Sequence, residues 1–162
     1  MNVRQSGLAF LYVLFSVCSC RLFAQQVTEA AQGHEHGFCP GEFFAQAIAE
    51  LGLLPSQVTL EIVDEEECDL LRLQRCIQSY RRFGFRIALD DFGQEGHSVH
   101  YDRLTALKPN IVKFDRSLIA GGSDARQYLL RRLVGAVHAL GATVVAEGVE
   151  TTGQMGFLRL HG

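Results

Sequence analysis

The sequence has little charge of one sign. Fifteen Lys and Arg residues stand against eighteen Asp and Glu, a formal net charge of -3, and the basic residues are spread along the chain. That balance supplies no electrostatic footprint for a nucleic-acid polymer or an anionic membrane surface. An anionic ligand would have to be held locally, by few residues. Ordered cysteine spacing is also lacking: Cys18, Cys20, Cys39, Cys68 and Cys76 are odd in number and irregular in position, which argues against a disulfide framework. Cys18 and Cys20 have no matching second pair, and His34 and His36 are too isolated to complete a zinc site.

A full membrane-spanning run is lacking too. Leu8 to Cys20, LAFLYVLFSVCSC, is almost continuously apolar between Arg4 and Arg21, but a spanning helix needs about 20 apolar residues. A poor small-residue cleavage pattern follows it. Three readings compete for this segment: an export signal, a membrane anchor, or sequence foreign to the domain that follows. Gln25 to Gly37, QQVTEAAQGHEHG, reads as a polar linker. Residues 1–37 therefore separate from residues 38–162, where a folded domain is expected.

What remains is ordinary globular material: 162 residues, 48% hydrophobic and 20% charged, enough for one domain with a sizeable core. From Gly41 the hydrophobic period alternates between helical and extended, with glycine or proline at the switches. GEFFAQAIAELG reads as a helix ending at Gly52, followed by the short extended run Val58 to Ile62. Leu70, Leu73, Ile77 and Tyr80 recur at helical spacing, Gly84 stands at the C-cap, and Arg86 to Leu89 runs extended. A shorter helix near His100 to Leu107 leads through Pro109 into NIVKFD, Asn110 to Asp115. Leu129, Leu130, Leu133, Val134, Val137 and Leu140 form one helix face closed by Gly141, and TVVAEGVE continues from Thr143. Strands alternating with helices of this length imply parallel strands joined by crossovers, hence an α/β layer or barrel.

Each expected strand carries ionisable residues at or near its C-terminal end: Glu61, then Asp90 and Asp91, then Lys113 and Asp115, then Glu147. Parallel strands point their C-termini to one rim, so these residues converge. Clustered carboxylates repel and need compensating positive charge. An oxygen-rich set without Cys or His favours Mg²⁺, Mn²⁺ or Ca²⁺, and adjacent aspartates can serve two metals, as phosphodiester chemistry requires. Lys113 is the cation of the rim, and could position or deprotonate a water or stabilise a phosphate oxygen. The competing bland reading is that such carboxylates cap the following helices and that Lys113 is a solvated charge. His97, His100, His138 and His161 share no spacing and are assigned no chemistry.

VTLEIVDEE, IALDDFG, NIVKFDRSLI and VVAEGVET, in this order, resemble the strand-four to strand-seven motifs of the EAL domain family. That family is a (β/α)8 barrel that hydrolyses the bacterial signalling molecule cyclic di-GMP to linear pGpG with Mg²⁺ or Mn²⁺. The resemblance implies a partial TIM-type barrel, roughly strands 4 to 7 with their helices. It implies Glu61, Asp90, Asp91 and Glu147 as metal ligands, Lys113 and Glu147 as catalytic, and Asp64, Asp115 and Glu150 as supporting residues. Asp64 stands where the family usually has a glutamate, and GQEGHS replaces the common GTGYS. The Glu-Ala-Leu motif of strand one and the glutamine of strand eight have no counterpart, whereas a barrel of this type takes about 250 residues.

The expectation is therefore a truncated cyclic di-GMP phosphodiesterase, weak or inactive alone and cytoplasmic like its ligand, unless the segment 8–20 anchors or exports it. The alternative is a degenerate nucleotide-binding or interaction module. Its exposed strand edges would pair in a homodimer or with a partner supplying missing strands.

Overall fold

The computed structural model describes residues 11–15, 40–63, 70–94, 101–120 and 123–161. Five strands form one parallel sheet in sequence order: β1 (Leu11–Phe15), β2 (Val58–Val63), β3 (Arg86–Phe92), β4 (Ile111–Phe114) and β5 (Thr143–Ala146). The helices between them are α1 (Pro40–Glu50), α2 (Leu70–Arg82), α3 (Tyr101–Leu107), α4 (Arg116–Ile119) and α5 (Asp124–Ala139), and α6 (Thr152–His161) follows β5. The four strands expected from the sequence are β2 to β5, and each begins within a residue of its expected start. The order, with helical crossovers, is that of part of a (β/α)8 barrel.

β1 is an addition. Leu11–Phe15 lies inside the apolar run that admits an export signal, an anchor or foreign sequence, and here it pairs with β2, Leu11 opposite Val58 and Phe15 opposite Ile62. Its sequence, LYVLF, suits a strand through its aromatic and β-branched residues. The rest of that run and of the linker lies outside the described residues, with Cys18, Cys20, Cys39, His34 and His36. So do Asp64, Cys68, His97 and His100.

The two faces of the sheet differ. Leu60, Ile62, Ile87, Leu89, Val112 and Phe114 are buried in a core completed by Ile48, Leu73, Ile77, Leu104, Leu133 and Val137 from the helices. Each such side chain gains about 1.5–3 kcal/mol by leaving water, which fixes the strand phase. A slip of one residue would turn the apolar set away from the helices. Asn110 sets the start of the strands: its side-chain oxygen accepts from Ile87 N–H at 2.9 Å, its N–H donates to Ile87 O at 2.8 Å, and its carbonyl accepts from Thr143 N–H at 3.0 Å. One residue, through its side chain and backbone, thereby ties β3, β4 and β5 at their N-terminal ends.

Candidate metal centre

Register places the chemistry. Glu61 lies opposite Ala88, which lies opposite Ile111, so these side chains share one face. Two residues further along β3 and β4, on the same face, come Asp90 and Lys113. Lys113 lies opposite Val145, so Glu147, two residues beyond, falls on that face just past the end of β5. The convergence expected from strand ends is therefore a consequence of in-phase pairing.

Asp91 does not follow from alternation, which would send it to the helix side. Between Leu89 and Phe92 the register shifts: those residues lie opposite Val112 and Phe114, leaving one extra residue on β3. Asp91 occupies the bulge with φ +52°, a left-handed conformation in which aspartate is among the more frequent non-glycine residues. Its N–H donates to the Asp90 carboxylate at 3.0 Å. The bulge brings ligand oxygens of Asp90, Asp91 and Glu147 within 4.8 Å of one another.

Lys113 is the centre of the cluster. Its Nζ lies 2.7 Å from Asp90 Oδ1, 2.8 Å from Glu147 Oε1 and 3.2 Å from Glu61 Oε2. Side-chain exposure grades from 5% at Glu61 and 8% at Asp90 through 14% at Lys113 to 38% at Glu147, so the site has a dry floor and opens at Glu147. Burial alone would lower the Lys113 pKa, but its hydrogen bonds to Asp90, Glu147 and Glu61 outweigh that and hold it above the usual lysine value. Lys113 is thus a charged hydrogen-bond donor to these three carboxylates. Burial raises the Glu61 carboxyl, opposed by Lys113, and raises Asp91 too, with repulsion from Asp90, Asp115 and Glu147 adding to it.

The remaining candidates divide. Asp115 caps α4: its carboxylate accepts from Ser117 N–H at 2.8 Å. That bonding outweighs burial and holds its pKa below the ordinary carboxylate value. Here the bland reading of a strand-end carboxylate describes the geometry. Glu150 is exposed, and its backbone N–H donates to Gln154 Oε1 at 2.9 Å. Asp64 lies outside the described residues. His138 is exposed in the last turn of α5 and His161 packs on Phe157 at 4.7 Å, both away from the rim.

Two glycines let the turns close. A Cβ on Gly93 (φ +77°) would meet Leu118 Cδ1 at 2.3 Å, and one on Gly148 (φ +63°) would meet Arg116 Cβ at 2.5 Å. α4 thus lies wedged between the turn after Asp91 and the turn after Glu147. Sequence reasoning does not find α4, Ser117 or Gln154. The signal for the last was available: Thr151 and Gln154 have the T-x-x-Q spacing of a capping box.

Three carboxylates within 4.8 Å form an all-oxygen donor set that one hard divalent cation can span, which fits Mg²⁺, Mn²⁺ or Ca²⁺ better than a thiolate- or imidazole-seeking metal. The chain matches the EAL domain family over residues 20–162. It is 36% identical over 110 residues to the probable cyclic di-GMP phosphodiesterase PdeB of Escherichia coli, covering 67% of this chain and 20% of that protein. The EAL domain of Mycobacterium smegmatis DcpA superposes with a TM-score of 0.73 at 28% identity, covering 94% of this chain and 62% of the other. Klebsiella pneumoniae BlrP1, in a manganese and cyclic di-GMP complex, gives 0.73 at 27% identity, covering 96% of this chain and 37% of that one.

Proposed function

Because this chain belongs to the EAL domain family, we propose that its acidic rim holds divalent cations and binds cyclic di-GMP, opening one phosphodiester to give linear pGpG. The observation that carries the reading is the meeting of Asp90, Asp91 and Glu147 around one point, with Lys113 beside them. Asp90, Asp91, Glu147 and Glu61 would hold the ions, Mg²⁺ or Mn²⁺. Bound there, such ions supply Lewis-acid charge for the phosphate and acidify a water. Lys113 carries a positive charge whose three N–H groups hold Glu61, Asp90 and Glu147 toward one spot; with cations on those carboxylates it would be released to donate to the attacking water or a phosphate oxygen. Asp115 supports the rim indirectly, by capping α4.

Turnover is expected to be slow. The described sheet is open, with β1 and β5 each paired on one side only among the described residues, so the rim surrounds a substrate incompletely and excludes water poorly. The chain spans about a fifth of the length of PdeB. We place the protein in the cytoplasm, with the ligand. Chromatography of cyclic di-GMP incubated with the full chain and Mn²⁺ tests the reading. Slow, chelator-sensitive formation of pGpG is expected, reduced about 100-fold or more by Lys113→Met. Turnover that persists in excess chelator would refute it. Binding without hydrolysis would instead favour a degenerate nucleotide-binding module.

A further inference from the structure

In the turn from Glu147 to Thr151, Val149 packs on the edge of the core and Gly148 lies against Arg116. α6, which follows it, has no buried residue among its described side chains, and a cavity of about 360 Å³ separates it from α4 and α5. Polar contacts at the end of the turn meet at one side chain. Gln154 Oε1 accepts from Glu150 N–H and Thr151 N–H, both at 2.9 Å, while its Nε2 donates to Ile119 O in α4 at 3.4 Å. Its own N–H donates to Thr151 Oγ1 at 3.2 Å. The amide orientation follows from the network, since only the oxygen can accept two N–H groups.

The far side of α4 reaches the other ligand-bearing turn. Ser117 Oγ donates to Gly93 O at 3.3 Å, Leu118 lies against Gly93, and Asp115 N–H donates to Phe92 O at 3.1 Å. Arg116 thus meets Gly148 of one turn, Ser117 and Leu118 meet Gly93 of the other, and Ile119 accepts from Gln154, whose amide oxygen holds Glu150 and Thr151.

We infer that Gln154 is a positioning residue: through α4 it sets the spacing between the turn that carries Asp91 and the turn that carries Glu147. This rests on the metal-site reading above, and deepens it. A helix cap needs only an acceptor at this position, whereas the link to α4 needs a donor as well, and a glutamine amide supplies both. Glutamate would keep the cap and lose the link.

The test uses the full chain as wild type, Gln154→Ala and Gln154→Glu, with Mn²⁺ binding followed by electron paramagnetic resonance and amide exchange by NMR. Gln154→Ala is expected to lose protection at Glu150 and Thr151 and to bind Mn²⁺ about tenfold more weakly. Gln154→Glu should keep that protection yet still bind Mn²⁺ more weakly, although its added negative charge would by itself tighten cation binding. Mn²⁺ affinity in Gln154→Glu equal to or above that of the wild type overturns the inference. If the wild type itself binds no Mn²⁺, the metal reading fails and the amide shifts of Asp91 and Gly93 decide. Displacement of both in Gln154→Glu supports the link across α4, and unchanged shifts overturn it.

Discussion

Asp90 and Asp91 reach one rim by different means, the first by strand phase and the second by a bulge and a positive φ. The strand is legible in the sequence as a short apolar run after a helix C-cap, and with Ile87 and Leu89 in the helix-side core the period of two puts Asp90 on the other face. The bulge is not legible, because it departs from that period. Its electrostatic consequence can be measured. Burial and neighbouring carboxylates raise the Asp91 pKa, so its charge costs stability at neutral pH, and the cost is relieved as pH falls through the raised value. Asp91→Asn should therefore raise the melting temperature at pH 7 in chelator by about 2 °C. The gain should vanish once the pH is below the ordinary value of 3.8, where the carboxyl is protonated folded and unfolded. Asp115 has the opposite sign. Its pKa is lowered in the folded protein, so its contribution is present above 3.8 and lost as pH falls through the lower folded value. Asp115→Ala should cost about 1 kcal/mol at pH 7 in urea unfolding, and progressively less in acid.

At the scale of elements, the long helices and the central strands were readable because each buries a continuous apolar face. Ile77 and Tyr80, or Leu133 and Val137, announce themselves by spacing. α4 has only four residues, and α6 buries none fully, so neither has a strong period to read. Both are fixed by partners distant in sequence, Gly93, Gly148 and Ile119, which no local pattern encodes. Glycine substitutions separate the two situations. Gly148→Ala meets Arg116 at 2.5 Å in a left-handed conformation and should cost about 2 kcal/mol. Gly135→Ala, inside α5 with nothing within 4 Å, should stabilise by about 0.5–1 kcal/mol. Chemical denaturation of the two variants checks the pair, and equal effects would contradict the wedge described for α4.

Among the described residues, the sheet is an open arc with its chemistry on one face. Thr143 N–H bonds to Asn110 O, just before β4, and Glu147 N–H to Phe114 O, so the alternate groups of Val144 and Ala146 point to the side of β5 that is unpaired among the described residues. Val145 is 38% exposed beside them. Such an edge invites pairing, and the chain is expected to self-associate with rising concentration in sedimentation velocity, less so as Val145→Lys. No helix among the described residues is long and apolar enough to cross a membrane. The arc suffices to bring Glu61, Asp90, Asp91, Lys113 and Glu147 together, and their use by a cyclic dinucleotide is the central claim. Calorimetric titration of cyclic di-GMP into the full chain, with and without Mn²⁺, tests that claim most directly. The account predicts saturable binding that requires the cation and disappears in Asp90→Asn. Binding indifferent to cation and to Asp90→Asn, or no binding at saturating Mn²⁺, would contradict it.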